Sequence, residues 1–235
     1  MDDKRILSSG SIVFFTDDPE AAKRLAVSGS CFISLPEVTA SADGYVRACE
    51  DFEDLSDAYL ERLCMRHLKK PAVICRFDGF TLRECCRDDY FFVRHLFADN
   101  ESALEEFDPS DWPDTYEGST KFESALRDHY RLFDFGMWIL ENGKEKLGIF
   151  GLAAKEYGIE LYYLLDRKYR GQQIAKRTCE MTEEFAAAEL CAGEIYIRCD
   201  ENNKPSRHLA EGLGFKLLSS EREGSIRKLK FVKKL

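Results

Sequence analysis

The stretch LYYLLDRKYRGQQIAKRTCEMTEEF at 161–185 constrains this chain more than any other. An apolar strand runs into a short basic turn, Arg167 to Gly171, and then into a helix that the pattern starts near Gln172. A helix leaves its first N–H groups without intrahelical partners, and its macrodipole places positive potential there. Arg167, Lys168 and Arg170 add charge beside those groups, while Gly171, lacking a Cβ, lets the backbone approach an anion closely. The segment reads as a phosphate cradle, or else as an ordinary strand–turn–helix corner with solvated basic side chains.

Charge narrows the possible partners. A net charge of −9 argues against a nucleic-acid binder; an acidic surface tolerates or attracts cationic partners, but it equally serves solubility alone. With 235 residues, 44% apolar and 33% charged, the chain suits one large or two small globular domains. Nine cysteines occur without a CxxC pair or a Cys/His cluster at zinc-ligand spacing, so no metal site is expected. Cys31, Cys75 and Cys199 sit in apolar runs and read as small buried hydrophobes in a reducing compartment. No targeting segment or membrane-length apolar run stands out, so the expectation is a cytoplasmic protein without membrane contact.

The sequence divides near residue 76, giving domains at 1–76 and 77–235. In the first, Ile12 to Phe15 read as a strand, and Asp18-Pro19 as the cap and first turn of a helix through Val27 that Gly29 ends. Cys31 to Leu35 give a second strand, Tyr45 to Cys49 a third, and Ser56 caps a helix through Leu68. The expectation is a small α/β layer of three parallel strands, little for a self-sufficient core. This part resembles a fragment of the haloacid-dehalogenase hydrolase family, at a strand that ends in acidic residues before a helix. The resemblance implies Asp17 and Asp18 as magnesium ligands. However, the family's nucleophile motif, an aspartate pair followed by glycine and threonine, is absent, and a helix cap at Asp18 needs no metal. The domain is expected to be non-catalytic.

In the second domain, Phe80 to Glu84 form a strand that enters a helix over Arg87 to Phe97. Glu101 to Phe107 suggest a further helical turn, DPSDWPDTYEG an acidic aromatic loop, and Phe122 to Leu132 a helix. Two apolar runs joined by Asn142-Gly143 signal a hairpin. Strands follow at Glu160 to Leu165 and Ile195 to Cys199, a helix at Pro205 to Glu211, and a closing antiparallel pair at LGFKLLSS and IRKLKFVKK. The pattern is α+β, a mainly antiparallel sheet flanked by helices, and it lacks the glycine triplet of a dinucleotide fold.

Three motifs in order carry a resemblance: FTLRE at 80–84, YRGQQIA at 169–175 and NNKPSRHLAEGLGF at 202–215. On these, the chain from about Phe80 onward resembles the GNAT superfamily of acyl-CoA-dependent N-acyltransferases, in particular the type acting on ribosomal-protein or peptide N-termini. The resemblance implies direct acetyl transfer from acetyl-CoA, as co-substrate, to a primary amine. It assigns the diphosphate to the amides of Arg170, Gly171, Gln172, Gln173, Ile174 and Ala175, and the pantetheine to the backbone of Leu164 and Leu165. Asn203 and Ser206 match the family's Asn-x-x-Ser, and Gly214-Phe215 its terminal pair. Gln173 departs from the pattern, because the family has a second glycine there. Ala210 also departs, standing where many members carry a tyrosine acid.

For the base, Glu160 is the acidic residue inside IELYYLL, where burial is expected to raise its pKa. The other reading is an exposed residue at a strand start. Ser206 substitutes for the missing acid or caps its own helix, and Asn203 has the same ambiguity. Trp112, Tyr116 and Phe122, with Asp108, Asp111, Asp114 and Glu117, form either an acceptor wall for a cationic amine or an acidic loop. His67 and His129 read as packed or solvated. The second function reading is a non-catalytic acyl-CoA sensor. The acceptor and the oligomeric state, a homodimer included, stay open.

Overall fold

The computed structural model describes residues 3–34, 55–98 and 114–235. The expected strand at 45–49, the helical turn at 101–107 and the loop residues Asp108, Asp111 and Trp112 lie outside them. The chain divides into two compact units, Met1–Ala72 and Val73–Leu235, a few residues before the boundary read from sequence.

In the first unit β1 (Asp3–Ile6), β2 (Ile12–Thr16) and β3 (Phe32–Ser34) form one sheet in that order. Helix α1 (Pro19–Val27) crosses between β2 and β3, capped by the Asp18 carboxylate, which accepts from the Glu20 amide at 2.9 Å. Helix α2 (Asp57–His67) is capped by Ser56, which accepts from the Tyr59 amide at 3.0 Å. Its Leu60, Leu63 and Cys64 pack with Val13, Phe15, Cys31 and Ile33. The expected all-parallel layer is corrected here. β2 and β3 are parallel, but β1 pairs with β2 antiparallel, from Asp3 opposite Phe15 to Ile6 opposite Ile12. The hairpin escaped notice because DKRI shows neither alternation nor β-branched enrichment.

The second unit holds an eight-stranded sheet among the described residues. Its strands are β4 (Val73–Phe77), β5 (Phe80–Glu84), β6 (Met137–Glu141), β7 (Lys146–Lys155), β8 (Gly158–Leu165), β9 (Glu194–Asp200), β10 (Lys216–Glu223) and β11 (Ile226–Lys234). Their spatial order is β10-β11-β9-β8-β7-β6-β5-β4, and every pairing is antiparallel except β8 with β9. Helices α3 (Tyr90–Ala98), α4 (Tyr116–Phe133), α5 (Ile174–Leu190) and α6 (Lys204–Gly212) complete the unit. On α4, Phe122, Leu126 and Tyr130 recur every four residues and are buried, the period of a helix with one face inward. On α5, Phe185 meets the fully buried Trp138 edge-on, with ring centroids 5.0 Å apart. The Asn142 side chain holds the β6–β7 hairpin, accepting from the amides of Lys144 and Glu145 at 3.1 and 2.9 Å. No described helix is long and apolar enough to cross a membrane.

Candidate active site

Parallel β8 and β9 touch at a single register pair, Glu160 opposite Tyr196, and then part. From Leu161 to Leu165, β8 keeps its ladder with β7 but offers its β9-facing edge to an open cleft. That edge includes the backbone of Leu164 and Leu165. Beyond it, Asp166 caps a single 3-10 turn at Arg167–Tyr169, accepting from the Lys168 amide at 3.0 Å, and α5 begins at Ile174 rather than Gln172.

The approach to α5 is unusual for a helix start. Gln173 stands at its N-cap with φ +63° and gives no side-chain cap, and Gly171 has φ +76°. The amides of Gly171, Gln172, Gln173, Ile174 and Ala175 find no acceptor among the described residues. Buried or ligand-facing N–H groups of this kind are what an anion satisfies. A cleft of about 930 Å³ opens onto them, within the size range of cofactor pockets. Lys155, Arg170, Lys176, Arg198 and Lys228 line it against Glu160 and Asp200, so its wall is cationic although the chain carries −9.

Most of the residues singled out from sequence converge on this cleft: Glu160, Leu164, Leu165, Arg170, Gly171, Gln173, Ile174, Ala175, Asn203 and Ser206 all line it. Gln172 does not, and its side chain instead donates to the Lys168 carbonyl at 3.1 Å. The Arg170 guanidinium donates from Nε to the Leu165 carbonyl at 3.0 Å and so ties the basic turn to the end of β8. Glu160 is half-buried at the parting point, where its carboxylate accepts a hydrogen bond from the Tyr157 hydroxyl.

The capping ambiguity is resolved by α6. Asn203 is the cap and accepts from the Ser206 amide at 3.2 Å, so the Ser206 hydroxyl is not used to cap. It lies in the cleft wall, which Tyr163 and Cys199 also line. Burial pushes both of those groups above their ordinary pKa, overriding the opposing effect of Ser206. Sequence reading missed Tyr163 because it sits inside an apolar run, whereas Cys199 is buried in the core as expected and also borders the cleft.

One expectation changes. Phe122 is buried and tilted against Tyr90 at 5.3 Å between centroids, so it belongs to the core and not to an acceptor wall. Tyr116 is exposed, with the Arg87 guanidinium 4.1 Å from its ring centre. His129 packs against Phe133 and Phe135, as a packed histidine does.

These features define a class, an α+β fold with a cationic cleft where two parallel strands part. Residues 80–216 match the family described as acetyltransferase (GNAT) domain, and the chain belongs to that family. Solved structures share the fold. A RimL ribosomal-protein α-N-acetyltransferase in complex with coenzyme A is 16% identical at TM-score 0.60, over 69% of this chain and 98% of its own. A spermidine N-acetyltransferase from Vibrio cholerae is 17% identical at TM-score 0.55, over 67% and 95%. A microcin self-immunity acetyltransferase in complex with acetyl-CoA and AMP is 14% identical at TM-score 0.56, over 68% and 94%. No curated protein sequence matches the chain. The family match starts at residue 80, and the first unit's hairpin breaks the parallel layer, so the haloacid-dehalogenase resemblance has no support. In that unit Asp18 does a helix cap's work.

Proposed function

We propose that the protein is an acetyl-CoA-dependent N-acetyltransferase that moves the acetyl group directly to a primary amine. The observation that carries this reading is the run of acceptorless amides from Gly171 to Ala175, opening on the same cleft as the parted edge of β8. The amides and the dipole of α5 receive the diphosphate of acetyl-CoA, and the free strand edge at Leu164 and Leu165 receives the pantetheine. Glu160 at the parting point takes the proton of the attacking amine. Ser206, released from capping by Asn203, donates to the departing sulfur, a leaving group as acidic as a free thiol that needs only modest help. Related folds act on a ribosomal protein and on spermidine, which supports an amine acceptor and leaves its size open.

Thermal melting with and without acetyl-CoA tests the cleft. Ligand at a hundredfold excess over Kd contributes about 2.7 kcal/mol, which for a protein of this size raises Tm by roughly 5–10 °C. Thiol release against a panel holding spermidine and free-amino-terminal peptides tests the chemistry, and Glu160→Gln should cut the rate at least tenfold, a loss of the order general-base catalysis supplies. An unmoved Tm removes the cleft assignment. A raised Tm without thiol release from any amine favours the acyl-CoA sensor.

A further inference from the structure

We propose that Tyr157 is a positioning residue for Glu160: its hydroxyl holds the Glu160 carboxylate where β8 and β9 part, fixing the direction from which that carboxylate takes the amine proton. The inference rests on the reading of Glu160 as the base.

Tyr157 stands half-buried in the turn between β7 and β8, three residues ahead of Glu160, and its hydroxyl donates to Oε2 of that residue. An ionised carboxylate only accepts, so this donor favours the charged form that a base needs. The Tyr157 ring is itself fixed on two sides. Tyr196 of β9 meets it edge-on, with centroids 5.3 Å apart and 71° between the planes, and the Lys230 ammonium of β11 lies 4.3 Å from its centre. Tyr196 is held in turn. Its hydroxyl donates to Glu194, and its ring lies over Gly158, where an added Cβ would come within 2.7 Å of ring carbon Cε2. Gly158 also has φ +131°, so only glycine suits the turn that brings the two tyrosines together.

The register puts the charged neighbours of Glu160 on one face of the sheet. Its cross-strand partners are Ala153 and Tyr196. Alternation from these brings Lys155 of β7, Tyr162 of β8, Arg198 and Asp200 of β9, and Lys228 and Lys230 of β11 to the same side. Arg198 pairs with Glu223, Lys228 with Asp200 at 2.7 Å and Lys230 with Glu221 at 3.8 Å. All of these charges stay in place when the Tyr157 hydroxyl is removed, so that substitution reads the hydroxyl alone.

In the reaction, the amine nitrogen bonds to the acetyl carbonyl carbon and the carbon–sulfur bond breaks, its electron pair going to sulfur. The amine proton passes to Glu160 and then to water, and the thiolate takes its proton from water. Tyr157 transfers no proton; it keeps the accepting carboxylate ionised and aimed.

The test begins without an acceptor. The Glu160 carboxyl, recognised by NMR as the labelled carboxyl carbon missing from Glu160→Gln, is titrated in the wild type and in Tyr157→Phe, which keeps the ring. Loss of a hydrogen bond to the charged form raises its midpoint by about one pH unit. With a turned-over amine, the acidic limb of the pH–rate profile of Tyr157→Phe moves up by the same amount. On the plateau kcat falls roughly fivefold at unchanged KM for acetyl-CoA. In the Glu160→Gln background the second substitution removes nothing more. An unmoved midpoint, or a loss of equal size with and without the Glu160 carboxylate, overturns the proposal. A wild type that acetylates no amine, or a Glu160→Gln variant as fast as the wild type, removes the base beneath it. A slow Glu160→Gln beside a silent Tyr157→Phe removes this inference alone.

Discussion

Gln173 occupies a backbone conformation that favours glycine, and its side chain caps nothing in return. A left-handed φ costs a residue with a Cβ about 1–2 kcal/mol, partly offset by the chain entropy that glycine loses on folding. The strain sits where the α5 amides turn toward the cleft, so the conformation is held for what those amides face. Gln173→Gly should therefore stabilise the protein by up to about 1 kcal/mol, seen as a Tm higher by roughly 2–4 °C. It should do so without weakening the acetyl-CoA shift. A lower Tm would mean that the glutamine side chain makes a stabilising contact in solution. Gln173, a departure from the family's second glycine in sequence, adopts the backbone geometry of that glycine.

Among the elements, the loop end of β5 is fastened by Asp89, which is fully buried. Its carboxylate takes a bidentate pair from Arg83 at 2.7 and 2.9 Å, the Cys86 amide at 2.8 Å and the Lys146 ammonium at 2.7 Å. Arg83 also reaches Glu141 at 2.9 Å, so β5, β6 and β7 meet on one charge cluster. Burial opposes ionisation, but Arg83, Lys146 and the Cys86 amide outweigh it and hold the carboxyl down at about 2. A folded-state value below the ordinary one near 3.9 contributes stability that is present above that ordinary value. It is lost as pH falls toward 2. In a comparison of denaturant midpoints, Asp89→Asn should cost about 2 kcal/mol or more at pH 7, and the gap should narrow between about pH 4 and 2. A gap constant over that range would assign the loss to packing instead.

The same cluster shows where sequence reading reaches its limit. Local signals placed the Ser56 and Asp18 caps, the Asn142-Gly143 hairpin and the strand before α5, because each is written in neighbouring residues. What depends on partners distant in sequence did not show. VICRF became edge strand β4 by pairing with β5, and Asp89 met Lys146 across the fold. Tyr163 and Ser206 share one cleft only because β8 and α6 both border it.

At the scale of the whole molecule, charge and chemistry are unevenly spread: the chain is acidic, yet five cationic side chains line the cleft. Every described lining residue falls between Lys155 and Lys228, within the unit Val73–Leu235. That unit has its own apolar core, centred on Trp138, Ile139, Leu140, Ile149 and Phe150, and is of a size that sustains one. Among the described residues, the first unit has a separate small core and none of them lines the cleft. A fragment covering residues 70–235 should therefore fold and keep the acetyl-CoA-induced rise in Tm to within about 2 °C of the full chain, on the linkage between binding and stability. Circular dichroism establishes the fold, and the ligand shift then carries the result. A folded fragment that no longer responds to acetyl-CoA would show that residues 1–72 govern the cleft, the behaviour of a sensor that reports through its first unit. An undiminished response places binding, and the acetyl transfer proposed for it, wholly within the second.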